Sequence, residues 1–264
     1  MDFVPEPITI NGNDILNILK LTKKEIRAFN ETTQIPYFSK QQIETFTSTQ
    51  ITWFTIKQIP HFTKWQIPVF TKLQISHFAQ KQIASFTWWQ IPTLTERQIP
   101  ALKWSQIQAL TERQIKAFTE QQIASFTEEQ VPFFTEKQIQ TFNTTTQIPE
   151  FRKWQIEEFQ EWQIQAFHWS QIQSFTEKQI PWFTIKQIPY FEEWQIQHFS
   201  KQQTPSFTEK QIPWFTEQQI KALTEWQIAS FTPLWSEILF KKYINDEKSW
   251  EEINVKNRSI SKFI

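Results

Sequence analysis

Apolar side chains recur every eight residues over most of this chain. A clear run begins at Phe62, where the sequence reads Phe-Thr-Lys-Trp-Gln-Ile-Pro-Val. The next anchors are Phe70, Phe78, Phe86, Leu94, Leu102, Leu110, Phe118, Phe126 and Phe134. We number each octad from position 1, the Phe or Leu, to position 8, so that Thr stands at position 2, Gln at position 5 and Ile at position 6.

Each octad carries a signal for the start of a helix. Thr at position 2 suits the N-cap, and Gln three residues later suits N3, which is the capping-box spacing. Phe then lies before the cap and Ile at N4, where the two side chains pack together as a hydrophobic staple. The repeat therefore predicts one short helix per octad.

The same helix must end before the next Thr arrives. Many octads have Pro directly after Ile, and Pro lacks a backbone donor and disfavours α geometry in the preceding residue. We expect Pro to end the helix there, leaving about one to one and a half turns and an extended joint. Helices this short are unstable alone, so the pattern predicts an all-α solenoid in which Phe and Ile of neighbouring octads bury one another.

The Gln at position 5 has a structural interpretation. A Glu would cap the helix equally well, but many stacked carboxylates would repel one another. We therefore expect the Gln column to support the fold and not to bind a ligand.

The repeat defines three segments. Residues 1–20 lack it and are predicted to be an N-terminal cap, with a helix ending near Leu19. Residues 21–231 form the octapeptide-repeat solenoid, and residues 232–264 form a C-terminal capping helix and tail. Two octads, which begin at Phe29 and Phe142, hold nine residues and predict small bulges. Thr204 replaces Ile and predicts a weaker core layer.

Composition narrows the classes of function. The 264 residues include one glycine and no cysteine, and the formal net charge is zero. A single glycine excludes glycine-rich phosphate loops, the absence of cysteine excludes a disulfide framework, and zero net charge gives no electrostatic reason to expect nucleic acid. No apolar run spans a membrane. The first residues lack the features of a signal peptide, so we expect a cytoplasmic protein or one delivered without such a signal.

Few side chains suggest chemistry. His61 and His77 both stand at position 8, two octads apart, and are candidates for a shared face. No Cys or carboxylate cluster would complete a metal site around them. No arrangement of nucleophile and base has a local signature either, so we predict no enzymatic activity, no metal and no cofactor.

Tryptophan is the one residue type whose positions suggest a contact surface. Position 4 lies about 160° around the helix from the inward Ile, so Trp there should point outward and mark a contact surface. The alternative is that these rings lie over the joints and complete a thin core. The candidate partner-binding residues are Trp65, Trp89, Trp154, Trp162, Trp194 and Trp226 at position 4, with Trp53, Trp182 and Trp214 at position 8.

The octads that begin Leu94-Thr95-Glu96-Arg97-Gln98-Ile99 and Leu110-Thr111-Glu112-Arg113-Gln114-Ile115 resemble tandem Leu-Thr-x-x-Gln-Ile/Val-x-x arrays of some large bacterial proteins. The resemblance covers about residues 21–238, and this chain departs from it by preferring Phe to Leu and by its many Pro and Trp residues. It implies a repeat fold and a bacterial origin but no activity. Three hypotheses follow: a scaffold that binds a protein partner, a self-assembling structural element, and a glycan-binding surface along the tryptophans.

Overall fold

The structure, a computed structural model, describes residues 15–230, and these residues form short helices with no strand among them. The predicted fold class, an all-α solenoid of short helices, is confirmed. The chain divides into two compact units, Met1–Thr141 and Phe142–Ile264, and each is described by itself. The predicted C-terminal capping helix and tail, residues 232–264, lie outside the described residues.

The first unit contains ten α-helices and six 3₁₀ helices in its described part. The α-helices are Ile15–Lys20, Lys23–Ala28, Lys40–Thr45, Ser48–Ile51, Lys72–His77, Gln80–Ala84, Trp104–Ala109, Glu112–Ala117, Glu120–Ile123 and Glu136–Thr141. The 3₁₀ helices are Ile35–Tyr37, Ile59–His61, Ile67–Val69, Ile91–Thr93, Ile99–Ala101 and Val131–Phe133.

The second unit contains six α-helices and five 3₁₀ helices in its described part. The α-helices are Lys153–Glu157, Glu161–Ala166, Trp169–Ser174, Glu193–His198, Glu217–Ala222 and Glu225–Ser230. The 3₁₀ helices are Ile148–Glu150, Ile180–Trp182, Ile188–Tyr190, Thr204–Ser206 and Ile212–Trp214.

Proline at position 7 accompanies a 3₁₀ helix over positions 6–8, where other octads have an α-helix that begins at position 3. Every described 3₁₀ helix has Pro as its second residue, and no described α-helix contains Pro. Around Pro68, Val69 N donates to Gln66 O and Phe70 N to Ile67 O, so the bonds that remain need no donor at Pro. The expectation that Pro ends the helix directly after Ile was wrong, because the tighter bonding pattern carries the turn on to position 8.

The chain bends at position 1 in both kinds of octad. Phe70, which follows a 3₁₀ helix, has ψ 129°, and Phe78, which follows an α-helix, has ψ 131°. In each case the Phe amide still donates to the carbonyl of the Ile three residues earlier. Each octad is therefore one helical segment and one extended corner, whichever residue stands at position 7.

The helix starts depend on the Gln side chain more than on Thr. In the octad of Thr47, Gln50 N donates to Thr47 Oγ1 at 3.2 Å and Thr47 N donates to Gln50 Oε1 at 2.9 Å. Where Lys103 replaces Thr, its backbone N still donates to Gln106 Oε1 at 2.7 Å. Since this bond uses the backbone of position 2, the repeat tolerates several residue types there.

The Gln side chains also join successive turns of the solenoid. Gln74 Nε2 donates to Ile43 O at 2.7 Å and to Phe46 O at 2.8 Å, residues that lie 31 and 28 positions earlier. Ile43 belongs to the octad four back from that of Gln74, and Phe46 to the octad three back. Helices also pack on elements three octads away, for example Ser48–Ile51 on Lys72–His77, so one turn contains between three and four octads. The same pair of bonds recurs through both units, for example from Gln122 and from Gln211.

This bond gives a second reason why position 5 is Gln. A carboxylate has no proton to donate, and two carbonyl oxygens of the preceding turn would lose their partner. The exception, Glu25, stands in the octad of Leu21, where its carboxylate accepts from Thr22 N and Thr22 Oγ1 at 2.7 Å each. Those bonds hold the pKa of Glu25 below its usual value, the backbone bond contributing most.

The two nine-residue octads absorb their extra residue in a wider first turn. Asn30 Oδ1 accepts from Thr32 N and Thr33 N at 2.9 Å each, and Ile35 N reaches back to Asn30 O. Asn143 makes the equivalent bonds in the second unit. Because Ile35 and Phe38 stay buried, the predicted bulge leaves the core in register.

Phenylalanine rings form the centre of each unit. Phe62 and Phe70 meet edge to face at 5.2 Å between ring centroids, and Phe175 and Phe183 do so at 5.1 Å. Such pairs contribute about 0.5–1.5 kcal/mol each beyond their burial. Leu94, Leu102 and Leu110 interrupt this chain of rings in the first unit, and all three are buried.

One residue and one helix that depart from the repeat still pack as an octad would. Thr204 is buried in place of Ile, and its hydroxyl donates to Ser200 O at 2.9 Å. Before the first octad, the helix Ile15–Lys20 takes the place of an octad, because Gln50 Nε2 donates to Ile18 O at 2.6 Å.

Candidate interaction surface

The position of a residue in its octad determines its exposure. Positions 1, 5 and 6 are buried in nearly every described octad, whereas positions 3 and 4 face solvent in most. All candidate tryptophans at position 4 are exposed, from 38% at Trp89 to 77% at Trp65. This exposure agrees with the outward direction inferred from helix geometry.

Position 8 is more enclosed than we expected. Trp53 and Trp182 are half-buried there, and Trp214 is exposed. The reason is that position 8 lies beside position 3 of the preceding turn, 29 residues earlier. The rings of Trp104 and Phe133 show this contact at 5.9 Å between centroids, and Trp169 and His198 show it at 6.0 Å.

Three further exposed tryptophans were not among the predicted residues. Trp88, Trp104 and Trp169 stand at position 3 and are 63%, 56% and 44% exposed. Their exposure could have been predicted from the sequence, because position 3 is N1 and adjoins N2 on the outward side of the helix.

In the second unit, three tryptophans repeat at a regular spacing of 32 residues. Trp162, Trp194 and Trp226 all occupy position 4 and stand four octads apart. Their octads are linked by bonds from Gln195 Nε2 to Ile164 O and from Gln227 Nε2 to Ile196 O, each 2.8 Å, although the helix Glu193–His198 packs on Trp169–Ser174 and Glu217–Ala222. We call these three residues the Trp ladder.

The rings of the Trp ladder are similarly exposed, at 42%, 41% and 39%. Among the residues that the structure describes, Trp194 has a ring contact with His198, but none joins one ladder tryptophan to the next. His198 Nδ1 also lies 2.6 Å from Trp194 O. The ladder therefore presents three separate aromatic surfaces and not one stacked column.

A column of acidic residues accompanies the Trp ladder. Glu161, Glu193 and Glu225 stand at position 3, one residue before each tryptophan, and all three are exposed. The octads 159–166, 191–198 and 223–230 contain no Lys or Arg. Elsewhere in this unit acids lie beside bases, as in the 3.6 Å ion pair between Lys153 and Glu157. Each of the three octads thus presents an exposed tryptophan beside an exposed acidic residue.

The histidines do not gather into a site. His61 lies 4.0 Å from a carboxylate oxygen of Glu31, and His77 Nδ1 lies 2.7 Å from Leu73 O. Each histidine thus contacts a different residue, and no contact joins the two in the described structure. Within residues 15–230, no group of three or more His, Cys, Asp or Glu is placed to hold a metal ion.

The first unit also contains an open cleft of about 930 Å³. Its lining includes Phe70, Leu94, Thr95 and Thr119, with the charged residues Lys72, Glu96 and Arg97 at its edge. The lining mixes both charge signs and has no buried catalytic pair, so the cleft by itself indicates no chemistry.

Comparison with known proteins adds no family to this description. No family model matches the chain, and no curated protein or solved structure is similar to it.

Among the described helices, none has the length and apolar character that crossing a bilayer requires.

Proposed function

We propose that this chain is a non-enzymatic scaffold that mediates protein–protein interaction through tryptophans on the outside of its solenoid. The observation that supports this proposal most directly is the exposure of the Trp ladder on octads whose cores are already complete without it. Phe, Ile and Gln fill the interior, so these indoles are not needed to close it.

The amount of exposed aromatic surface supports the same proposal. A tryptophan about 40% exposed presents roughly 100 Å² to solvent, and three present roughly 300 Å². Trp is enriched among the residues that dominate binding energy at interfaces. A framework hydrogen-bonded at every turn would hold such residues in place before a partner arrives, which lowers the entropic cost of binding.

Capture of a partner with matched variants tests the proposal. The full chain and a triple variant, Trp162→Ala with Trp194→Ala and Trp226→Ala, would be immobilised and exposed to proteins of the source cell, with bound proteins identified by cross-linking and mass spectrometry. A partner lost with the triple variant and kept by Trp53→Ala, which changes a half-buried tryptophan, is the expected result. A partner set unchanged by replacement of every exposed tryptophan would contradict it.

Glycan binding is a second candidate, because separate indole faces suit the stacking of sugar rings. A glycan array probed with the chain and with the triple variant distinguishes the two functions.

Self-association is tested by light scattering at rising concentration, where a monomer at every concentration rejects it. Bacterial origin and a cytoplasmic location remain predictions from the sequence.

A further inference from the structure

We propose that the surface beside Trp88 docks an aromatic side chain of a partner protein that has acidic residues next to it. The proposal rests on the interaction function above and adds a second contact site, which lies in the first unit and shares no residue with the Trp ladder. Three observations carry it: an uncovered indole, a cavity beside that indole, and two cations that line the cavity.

Trp88 differs from the other tryptophans at position 3 in the residue that faces it from the next turn. Trp104 faces Phe133, which lies 29 residues later, at 5.9 Å between ring centroids. The same arrangement recurs in the second unit. The residue 29 positions after Trp88 is Ala117, and within residues 15–230 no ring contact or cation–π contact involves Trp88. The solenoid itself thus shows that an aromatic ring fits beside an indole at position 3, and at Trp88 it does not supply one.

An open cavity lies where that ring is missing. Its volume is about 280 Å³, and it is lined by Trp88, Arg113, Lys116 and Ala117. Arg113 precedes Lys116 by three residues and Ala117 by four on one helix, so these side chains share a face of that helix. The indole and the two cations therefore border one small space, and a single group of a partner can contact all of them.

The two walls of the cavity are held together by the fold. The helix Glu112–Ala117 packs on the 3₁₀ helix Ile91–Thr93, which belongs to the octad of Trp88. Gln114 Nε2 donates to Phe86 O at 2.8 Å, and this bond joins the same helix to the first residue of that octad. The backbone of the site is thus in place before a partner arrives, which lowers the entropic cost of binding.

The charge of the cavity selects an anion. Arg113 and Lys116 are exposed, and neither forms an ion pair with another residue of the described range. Glu112 stands four residues before Lys116, the spacing at which Glu217 and Lys221 do pair, but it does not pair with Lys116. No acid lines the cavity. An Arg guanidinium bonds a carboxylate in a forked geometry, so an acidic residue next to the docked ring finds a partner here.

The octad of Phe133 shows the opposite charge at the equivalent place. Where the cavity has Arg113 at position 4 and Lys116 at position 7, the octad of Phe133 has Glu129 and Pro132. Trp104 is therefore a matched contrast: its ring partner comes from the chain itself, and its surroundings would repel an acidic peptide.

Other occupants fit the cavity less well. A second copy of this chain would present Trp194, which follows two Glu residues, but that indole lies against a helix and contacts His198. It does not project as a side chain of an extended peptide does. A nucleic acid strand needs a basic groove along its backbone, whereas residues 118–133 hold three Glu and no Lys or Arg.

Fluorescence anisotropy with labelled synthetic peptides tests the proposal on the full chain. The probe is a peptide with the core Asp-Asp-Phe-Asp-Asp between Gly-Ser flanks. A peptide with Leu in place of Phe tests the ring, and a peptide with Lys in place of every Asp tests the charge. We expect the probe to bind at least about threefold more tightly than the Leu peptide, the lower effect of one aromatic pair, and the Lys peptide not to bind.

Ala117→Phe is the sharpest variant, because it closes the site without removing any group that the proposal assigns to binding. It copies the arrangement of Trp104 and Phe133, and it should weaken the probe at least as much as Trp88→Ala does. Arg113→Glu should weaken the probe and make its affinity less dependent on salt. Trp104→Ala removes an indole that the chain already covers and should leave binding unchanged. Circular dichroism checks that each variant folds.

The outcomes separate this site from the Trp ladder. No binding of the probe, equal affinity for the Phe and Leu peptides, or unchanged affinity in Ala117→Phe would overturn the proposal. Self-association that is lost in Ala117→Phe, without binding of the probe, would overturn it in favour of a second copy of the chain. A partner captured through the ladder, with no binding of the probe, would overturn this inference and leave the scaffold function intact. Binding of the probe that is lost in Ala117→Phe would support the site even where the ladder variants capture the same proteins as the full chain, a result that would count against the ladder alone.

Discussion

Trp194 and Gln195 are neighbours on one short helix, but they differ in burial and in the contacts that they make. Gln195 is fully buried and makes hydrogen bonds to its own octad and to the turn before it. Trp194 is 41% exposed and adds only a surface contact with His198. Two adjacent residues of one short helix thus have different roles: Gln195 joins turns of the solenoid, and Trp194 is exposed and available for binding.

This difference explains why the repeat can vary on its surface without losing its fold. Positions 1, 5 and 6 hold Phe, Gln and Ile in almost every octad, because each has partners in a neighbouring octad or turn. Positions 3 and 4 are mostly exposed, with position 3 bordering position 8 of the next turn, and they hold varied residues such as Lys, Glu, Gln, Arg, Ile or Trp. Substitutions can test this division, from its strongest consequence to its weakest.

The largest effect is expected for Gln195→Glu. The carboxylate cannot donate to Ile164 O or Phe167 O, which Gln195 Nε2 now reaches at 2.8 Å each. A buried charge left facing two carbonyl oxygens costs about 3–5 kcal/mol. Urea unfolding at pH 7 should show that loss or a split into two transitions, since solenoids unfold by neighbouring repeats. Burial raises the pKa of such a carboxyl, so the loss should shrink as pH falls.

The matched control lies two residues away. Gln197 is exposed in the same octad, and Gln197→Glu introduces the same charge without removing a bond between turns. It should change the free energy of unfolding by less than about 0.5 kcal/mol. Equal destabilisation by the two variants would show that charge, and not the bond between turns, accounts for the effect.

Thr204→Ile should stabilise the chain. Thr204 is buried where other octads have Ile, and its hydroxyl is satisfied only by Ser200 O of its own octad. Ile adds apolar volume to this layer and removes one neutral hydrogen bond, so we expect a gain of about 1 kcal/mol in unfolding free energy. A loss of stability on thermal unfolding would mean that the layer has already closed around the smaller side chain.

Trp194→Ala should cost less than the Gln column does. Its ring is partly exposed and borders His198, so truncation should remove about 1 kcal/mol or less. The measurement is urea unfolding, followed by tyrosine or backbone signals because the variant changes tryptophan fluorescence. A loss as large as that of Gln195→Glu would show that the ladder belongs to the core, and the proposed contact surface would have to be given up.

The smallest effect concerns Glu25, the one acid at position 5. Its pKa is lowered in the folded state, so its contribution is present above the unfolded pKa of about 4.3 and is lost as pH falls through the lower folded value. Glu25→Gln should therefore make the free energy of unfolding less dependent on pH below about 5. An unchanged pH profile between the two proteins would contradict the assigned role of the Thr22 bonds.

Much of the fold was predictable because the octad is a local signal. Thr or its replacement, Gln, Ile and Phe take the positions that capping and packing rules assign to them. The length of the turn was not predictable in this way, since every octad resembles the next and the bonds that join turns span about thirty residues.

The candidate site was predictable only in part for the same reason. Helix geometry alone placed Trp65 and Trp194 outward, and Trp88, Trp104 and Trp169 were missed because position 3 was not recognised as part of the same outward face. Local geometry also could not foresee that position 8 borders the preceding turn, which partly encloses Trp53 and Trp182.

The bonds made by the Gln side chains between turns are the central claim, and hydrogen exchange of those amides tests it most directly. In the full chain with ¹⁵N-labelled Gln side chains, the Nε2 protons of buried residues such as Gln74, Gln122 and Gln195 should exchange with deuterium far more slowly than those of exposed Gln197. Protection of that kind is the predicted result. Equally fast exchange at buried and exposed Gln side chains in a folded sample would contradict the account.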